Sequence, residues 1–211
     1  QLEGEKMSKS KGNTVSPQRI VDEYGADTAR LFMMQAAQPE RDFDWSEEGV
    51  KSTHRFLARL TDLVEEYVAG EVALAGDGDA EAADRDEIDD YVADEVDAAV
   101  AIAGGEYDDL TFNVALREAQ DLVGTLRSYR DHADPHPETY ERGLDVAVRL
   151  LAPVVPHLAE ELWSTLDRDG FVVEADWPTA TVDRETVERR RRLVANTRED
   201  VRDIVEGAGI E

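Results

Sequence analysis

Cysteine is absent from the 211 residues. That excludes disulfide staples, thiolate zinc sites and cysteine nucleophiles, and it is compatible with the cytoplasm. Lysine is scarce, occurring only at Lys6, Lys9, Lys11 and Lys51 against nineteen arginines. No apolar run approaches the ~20 residues that a membrane span needs, and no basic-then-apolar opening marks a signal peptide. The chain opens on Gln1 rather than Met, so an excised piece of a longer protein is expected. Strand-like alternation is almost missing. His132 and His136 stand four apart, but Pro135 breaks any helix that would put them on one face. With no thiolate and no partnered carboxylates beside them, no metal site is expected.

What the chain has in excess is acid. Forty-nine Asp and Glu face 23 Lys and Arg, for a net charge of −26. The imbalance is local. Residues 1–60 hold nine basic and ten acidic residues, and residues 183–211 hold seven and eight, so each end is at −1. Residues 61–182 hold seven and thirty-one, a net of −24. A polyanion could approach the two ends, whereas the middle is a solvated body that repels one. The acids are interleaved with a regular apolar pattern instead of forming one acidic run. This fits a protein of a salty cytoplasm, where the Debye length is ~3 Å at 1 M salt and self-repulsion is screened.

The hydrophobic content of 41% with regular spacing makes this a globular chain. Residues 1–15 read as a loop. Ser16-Pro17 starts a helix that runs to Tyr24 and stops at Gly25. A second helix spans Asp27 to about Gln35, with Asp27 as its N-cap, and an extended connection covers Pro39 to Trp45. Ser46 caps a long helix through Val50, Phe56, Leu57, Leu60, Leu63, Val64 and Tyr67, ending near Gly70. Residues 75–83 read as a flexible acidic linker or loop. A third long helix, Ile88 to Ala103, is stopped by Gly104-Gly105, and a fourth covers Leu110 to Tyr129. A fifth runs from Glu138 to Leu151, is interrupted at Pro153 and Pro156, and continues to Leu166. Phe171 to Val173 is β-like, and Glu185 to Glu206 is a last charged helix. The fold expected is all-α: an antiparallel helical bundle led by a loop and short helices.

The informative segment is Lys6-Met7-Ser8-Lys9-Ser10-Lys11-Gly12-Asn13. Three of the four lysines fall within eight residues of a chain that otherwise relies on arginine. A lysine ammonium on a long stem can follow a phosphate as its geometry changes. Serine hydroxyls and glycine N–H groups add hydrogen bonds around it. A basic surface loop would explain a lone K-S-K. It does not explain the unbroken eight residues followed by a capped helix.

This segment resembles the KMSKS signature of class I aminoacyl-tRNA synthetases, and the flanking Gly-Asn is typical of the subclass for aliphatic amino acids and methionine. Tyr24-Gly25-Ala26-Asp27-Thr28-Ala29-Arg30 resembles the helix start that follows the loop in that family. The stretch from Ala36 through Asp42-Phe43-Asp44-Trp45-Ser46-Glu47-Glu48-Gly49-Val50 to Arg55-Phe56-Leu57-Ala58-Arg59 looks most like the leucyl-tRNA synthetase family. Lys51-Ser52-Thr53 departs from it, where bacterial members usually have a glycine. Ala152-Pro153-Val154-Val155-Pro156-His157-Leu158-Ala159-Glu160-Glu161-Leu162-Trp163 is similar to a bundle helix of the same subclass. It packs Leu158, Leu162 and Trp163 inward, and its lone His157 reads as structural.

The resemblance implies an anticodon-binding-type helical bundle preceded by the loop. Residues 1–35 would end a catalytic domain, 36–178 would form the bundle, and 179–211 a charged helix leading to a further module. Lys9 would contact ATP and Lys6 assist, both catalytic, while Met7, Ser8 and Ser10 complete the ATP-binding loop. ATP is the implied substrate, with Mg2+, leucine and tRNA(Leu) as the other participants, and a monomer is expected. Lys11, Arg55, Arg59, Arg189 and Arg192 are the candidate tRNA contacts. Four consecutive arginines, Arg189 to Arg192, point around a helix rather than along one stripe. An ion-paired solvated helix and an RNA contact therefore both stay open there. Two other readings remain: a valyl, isoleucyl or methionyl synthetase fragment, and a non-enzymatic helical tRNA-binding module. Because the other family motifs lie before the loop, these 211 residues alone are expected to activate no leucine.

The acidic excess has a direct test. The thermal unfolding midpoint should climb steadily as KCl rises from 0.1 M into the molar range. A midpoint indifferent to salt would contradict the halophilic reading.

Overall fold

The computed structural model describes residues 7–8, 10, 12, 14–36, 45–78 and 84–208. The described residues form helices, two short 3-10 turns and connections, with no strand among them. Helix α1 covers Pro17–Tyr24 and α2 covers Ala26–Ala36. Helices α3 (Glu47–Val68), α4 (Glu87–Asp108), α5 (Phe112–His132), α6 (Pro137–Leu151) and α7 (Pro156–Thr165) form the bundle, and α8 spans Arg184–Ala208. Connections as short as 109–111 and 133–136 leave consecutive helices no choice but to run back beside one another. Helices α4, α5 and α6 pack mutually, and α2, α3 and α7 close the remaining sides.

The helix starts follow from local chemistry. Pro17 occupies the first turn of α1, where no N–H is needed. Ser46 Oγ accepts the Gly49 N–H at 3.0 Å, with Glu47 and Glu48 in the first turn. Asp86 and Asp89 form a reciprocal capping box at the head of α4. Gly25, at φ +84, makes the abrupt turn between α1 and α2 and returns its N–H to the Val21 carbonyl.

Apolar spacing then sets the core. Leu60, Val96, Leu116, Leu126, Leu144 and Leu150 are all essentially inaccessible, and Leu31 of α2 joins the same cluster. A second, smaller cluster of Ile20, Phe32 and Val50 seats α1 and α2 on the head of α3, with Trp45 edge-on to Phe32 at 5.0 Å. A third, formed by Ala98, Ile102 and Val187, receives the start of α8.

Three expectations need correction. Gly104-Gly105 does not stop α4, which continues to Asp108. Gly104 gives clearance: a Cβ there would sit 3.3 Å from Trp177 Nε1, whereas one at Gly105 would make only an ordinary contact with Arg184 at 3.5 Å. The helix ends instead at Leu110, at φ +59. There the Thr111 N–H reaches the Glu106 carbonyl at 2.8 Å and the Leu110 N–H reaches Tyr107. The β-like stretch is a 3-10 turn at Val172–Glu174 whose N–H groups at Val172 and Val173 are taken up by the Glu160 carboxylate. Within the supposed linker, Ala75–Gly78 is a 3-10 turn tied to the Pro135 carbonyl through Ala75 N–H. Residues 79–83 lie outside the described residues.

The segment after the 3-10 turn is held by Asp97 of α4. This carboxylate accepts hydrogen bonds from Arg142 and from the hydroxyl and N–H of Thr181. Burial works against its ionisation. The Thr181 and Arg142 hydrogen bonds more than offset this and hold the carboxyl below its ordinary range.

Two substitutions test this packing. Alanine for glycine inside a helix normally adds about 1 kcal/mol of stability. At Gly49 the new methyl would meet the Phe32 ring at 2.7 Å. Gly49→Ala should therefore destabilise, by about 1–3 kcal/mol, read as a lower denaturation midpoint at fixed KCl. Asp97, with its folded pKa lowered, contributes stability above its unfolded pKa of about 3.9 that disappears as pH falls through the folded value. Asp97→Asn should thus be clearly less stable than wild type at pH 6, with a smaller deficit at pH 3. An equal deficit at both pH values would refute the assignment.

Candidate functional site

Lys6, Lys9, Lys11 and Asn13 lie outside the described residues. The rest of the motif has a definite seat. Met7 is half-buried and lines an apolar cavity of about 390 Å³ with Val15, Ile20, Ala29, Met33 and Trp45. Ser8 and Ser10 bring their hydroxyl oxygens within 2.8 Å of each other, and Gly12 takes φ +69. The thioether thus rests on the platform that α1 and α2 make over the head of α3, while Ser10 and Gly12 stay exposed.

That platform is tied to the bundle by polar groups that local pattern assigns elsewhere. Asp27 is the second residue of α2 rather than its N-cap, and it is buried. Its Oδ2 accepts the Leu158 N–H at 2.7 Å, in the first turn of α7. Helix α7 has Val155 before it and Pro156 at its start, with no side-chain cap of its own. Asp27 therefore acts as its cap from 131 residues away, an interaction worth about 1 kcal/mol where it has been measured locally. Asp27 Oδ1 faces the Arg30 guanidinium and, at 3.0 Å, His157 Nδ1. Arg30 Nε donates to the Val154 carbonyl at 3.1 Å, on the other side of the α6–α7 corner. His157 is largely exposed and sits at the rim of this cluster. Farther along α2, Gln35 Nε2 donates to Thr53 of α3 at 2.6 Å, and Gln120 of α5 donates to its carbonyl.

The candidate RNA contacts divide by helix. Arg55 and Arg59 both stand on the exposed face of α3. Arg55 bonds Glu48 at 2.7 Å and holds that carboxyl below its ordinary range. The four consecutive arginines of α8 split two and two. Arg190 pairs with Asp94, and Arg191 donates to Glu118 at 2.7 Å and Glu95 at 3.1 Å, so both face the bundle. Burial pushes the Glu118 carboxyl up, with Arg191 opposing the shift. Arg189 and Arg192 face outward, and among the described residues neither makes an ion pair. Arg55 and Arg59 stand on α3, and Arg189 and Arg192 on α8. The grip of Arg184 on Glu106 at 2.7 Å and of Asp97 on Thr181 escaped the sequence reading, because both partners are remote in the chain.

Among the described residues no group of three or more His, Asp or Glu could hold a metal ion, and no helix is long and apolar enough to cross a membrane.

Residues 89–209 match the family described as the anticodon-binding domain of tRNA ligase. Residues 1–46 match the class I tRNA synthetases of the I, L, M and V types. A leucine–tRNA ligase of Halobacterium salinarum is 51% identical over 210 residues, which cover 99% of this chain and 23% of that protein. One of Halorhodospira halophila is 42% identical over 178 residues, 84% of this chain and 21% of that protein. Among solved structures, the ternary complex of the Agrobacterium radiobacter K84 agnB2 LeuRS with tRNA and LeuAMS matches 89% of this chain and 23% of its own. The TM-score of that match is 0.72 at 25% identity. The chain spans about a quarter of the length of the curated relatives it matches. With the anticodon-binding model alone covering more than half of its residues, the chain belongs to the anticodon-binding-domain family of tRNA ligases, and its homologues are leucine–tRNA ligases.

Proposed function

We propose that the chain supplies the ATP-phosphate loop and the tRNA-supporting bundle of a leucine–tRNA ligase. Such an enzyme activates leucine with ATP to leucyl-adenylate and transfers it to tRNA(Leu). The observation that carries the reading is the unbroken Lys6-to-Asn13 motif, in a chain 51% identical to a leucine–tRNA ligase along almost its full length. Leucine is favoured over valine, isoleucine or methionine because the named relatives at 51% and 42% identity are leucine enzymes.

In this reading Lys9 holds the ATP phosphates as negative charge develops between the α-phosphate and the departing pyrophosphate, and Lys6 assists. Their contribution is electrostatic and positional. Met7 anchors the loop in its apolar seat, and Ser8 and Ser10 shape it. Mg2+ would be brought by ATP itself: it favours oxygen ligands, and the described residues offer no carboxylate cluster to hold it. Arg55, Arg59, Arg189, Arg192 and Lys11 would meet backbone phosphates of tRNA. All four arginines are exposed, and those of α8 are the two of its run that the bundle leaves free. Residues 1–35 would complete the catalytic domain, 36–178 form the bundle and 179–211 the charged arm beyond it. The enzyme would act as a monomer in a salty cytoplasm.

The test is Lys9→Ala in the full-length protein. Leucine-dependent ATP–pyrophosphate exchange should fall about 100-fold or more, while the 211 residues alone show none. A loss confined to tRNA affinity, with exchange intact, would make this a binding module rather than part of a catalytic site.

A further inference from the structure

Helix α2 has two working faces. Ala29 and Met33 line the cavity in which Met7 of the loop rests. Asp27 and Arg30, on the other face, clasp the corner between α6 and α7. We infer that Asp27 is a positioning residue for activation: through it α7 fixes α2, and α2 in turn fixes the seat of the phosphate loop. The inference rests on the function proposed above.

The geometry narrows the role to this carboxylate. Both of its oxygens are engaged, Oδ2 by the Leu158 N–H and Oδ1 by Arg30 and His157. Val155 and Pro156 offer the head of α7 no side-chain cap, so nothing local replaces Asp27 there. Arg30 spans the same corner, with its Nε on the Val154 carbonyl and its guanidinium 2.9 Å from His157 Nδ1. On the loop side Gly25 joins α1 to α2, and Ile20 of α1 packs with Phe32 of α2 in one small cluster. A shift of α2 relative to α7 is therefore passed to the surface under Met7, while the exposed arginines of α8 lie on another part of the bundle. Loop lysines displaced by even a fraction of an ångström lose much of their effect on a phosphate whose charge develops only in the transition state.

The experiment uses the full-length protein in molar KCl with two variants. Asp27→Asn keeps the size and an acceptor for Leu158 N–H but removes the charge. His157→Ala trims a side chain that is 77% exposed and so leaves folding intact. Rates of leucine-dependent ATP–pyrophosphate exchange are normalised to folded enzyme. Asp27→Asn should lower kcat/KM for ATP about tenfold or more, and His157→Ala about threefold, with KM for leucine and Kd for tRNA within twofold of wild type. A merely structural role would lower Tm and leave KM for ATP and the normalised kcat unchanged in both variants, and that outcome overturns the inference. Should Asp27→Asn fail to fold, His157→Ala decides alone, since wild-type kinetics in it are equally fatal. An unsubstituted protein with no leucine-dependent exchange would overturn the proposed function itself, which these variants cannot do.

Discussion

Among the described residues six carboxylates are buried, and each closes a seam between elements. Asp27 joins α2 to α7, Asp89 joins the head of α4 to Tyr129 of α5, and Asp97 joins α4 to Arg142 and Thr181. Glu106 and Glu118 receive Arg184 and Arg191 of α8, and Asp145 is gripped by Arg149 and Arg168. Burying a charge is costly unless its hydrogen bonds are completed, so each of these sites stands only while its partners stay in place. In a chain of net −26, cations are the limiting resource. The arginines that reach inward are therefore the ones that decide which peripheral pieces remain attached.

Helix α8 shows the consequence. Over its first two turns Arg184, Val187, Arg190 and Arg191 fasten it to α4 and α5. Farther along, Leu193, Val201 and Ile204 are more than half exposed. A helix without tertiary packing is marginal in water, so this second half should open more easily than the bundle. Attachment and exposure sit side by side in four consecutive arginines: Arg190 and Arg191 serve the fold, and Arg189 and Arg192 face outward.

Much of the architecture was legible locally. Periodic apolar positions located the bundle helices, and Ser16-Pro17 and Ser46 marked helix starts near where they occur. What failed was anything decided across the chain. Gly104-Gly105 reads as a stop in isolation, yet α4 runs through it, and Gly104 leaves clearance for Trp177 more than seventy residues later. Asp27 reads as a cap for its own helix, and the helix it caps begins at Pro156. The Lys6-to-Asn13 motif stood out because its chemistry is contiguous, lysine beside serine beside glycine, and residues 1–46 match the class I tRNA synthetases. The arginine run could not be sorted, because Asp94, Glu95 and Glu118 choose which side of α8 faces inward.

The uneven charge bears on the proposed RNA face as well. At molar salt the screening length of ~3 Å removes long-range attraction, so a basic patch no longer gathers a polyanion from a distance. Contacts must then work at hydrogen-bonding range, where the arginine fork binds a phosphate in two places and a lysine in one. The proposed RNA contacts at 55, 59, 189 and 192 are accordingly arginines, and three of the four lysines fall in the proposed ATP loop. In molar salt the same screening would let thirty-one acids crowd residues 61–182 without forcing the bundle apart. In such a medium an acidic body and two near-neutral ends would be one solution: repulsion within the centre is screened, and the ends leave the proposed RNA contacts room to work at close range.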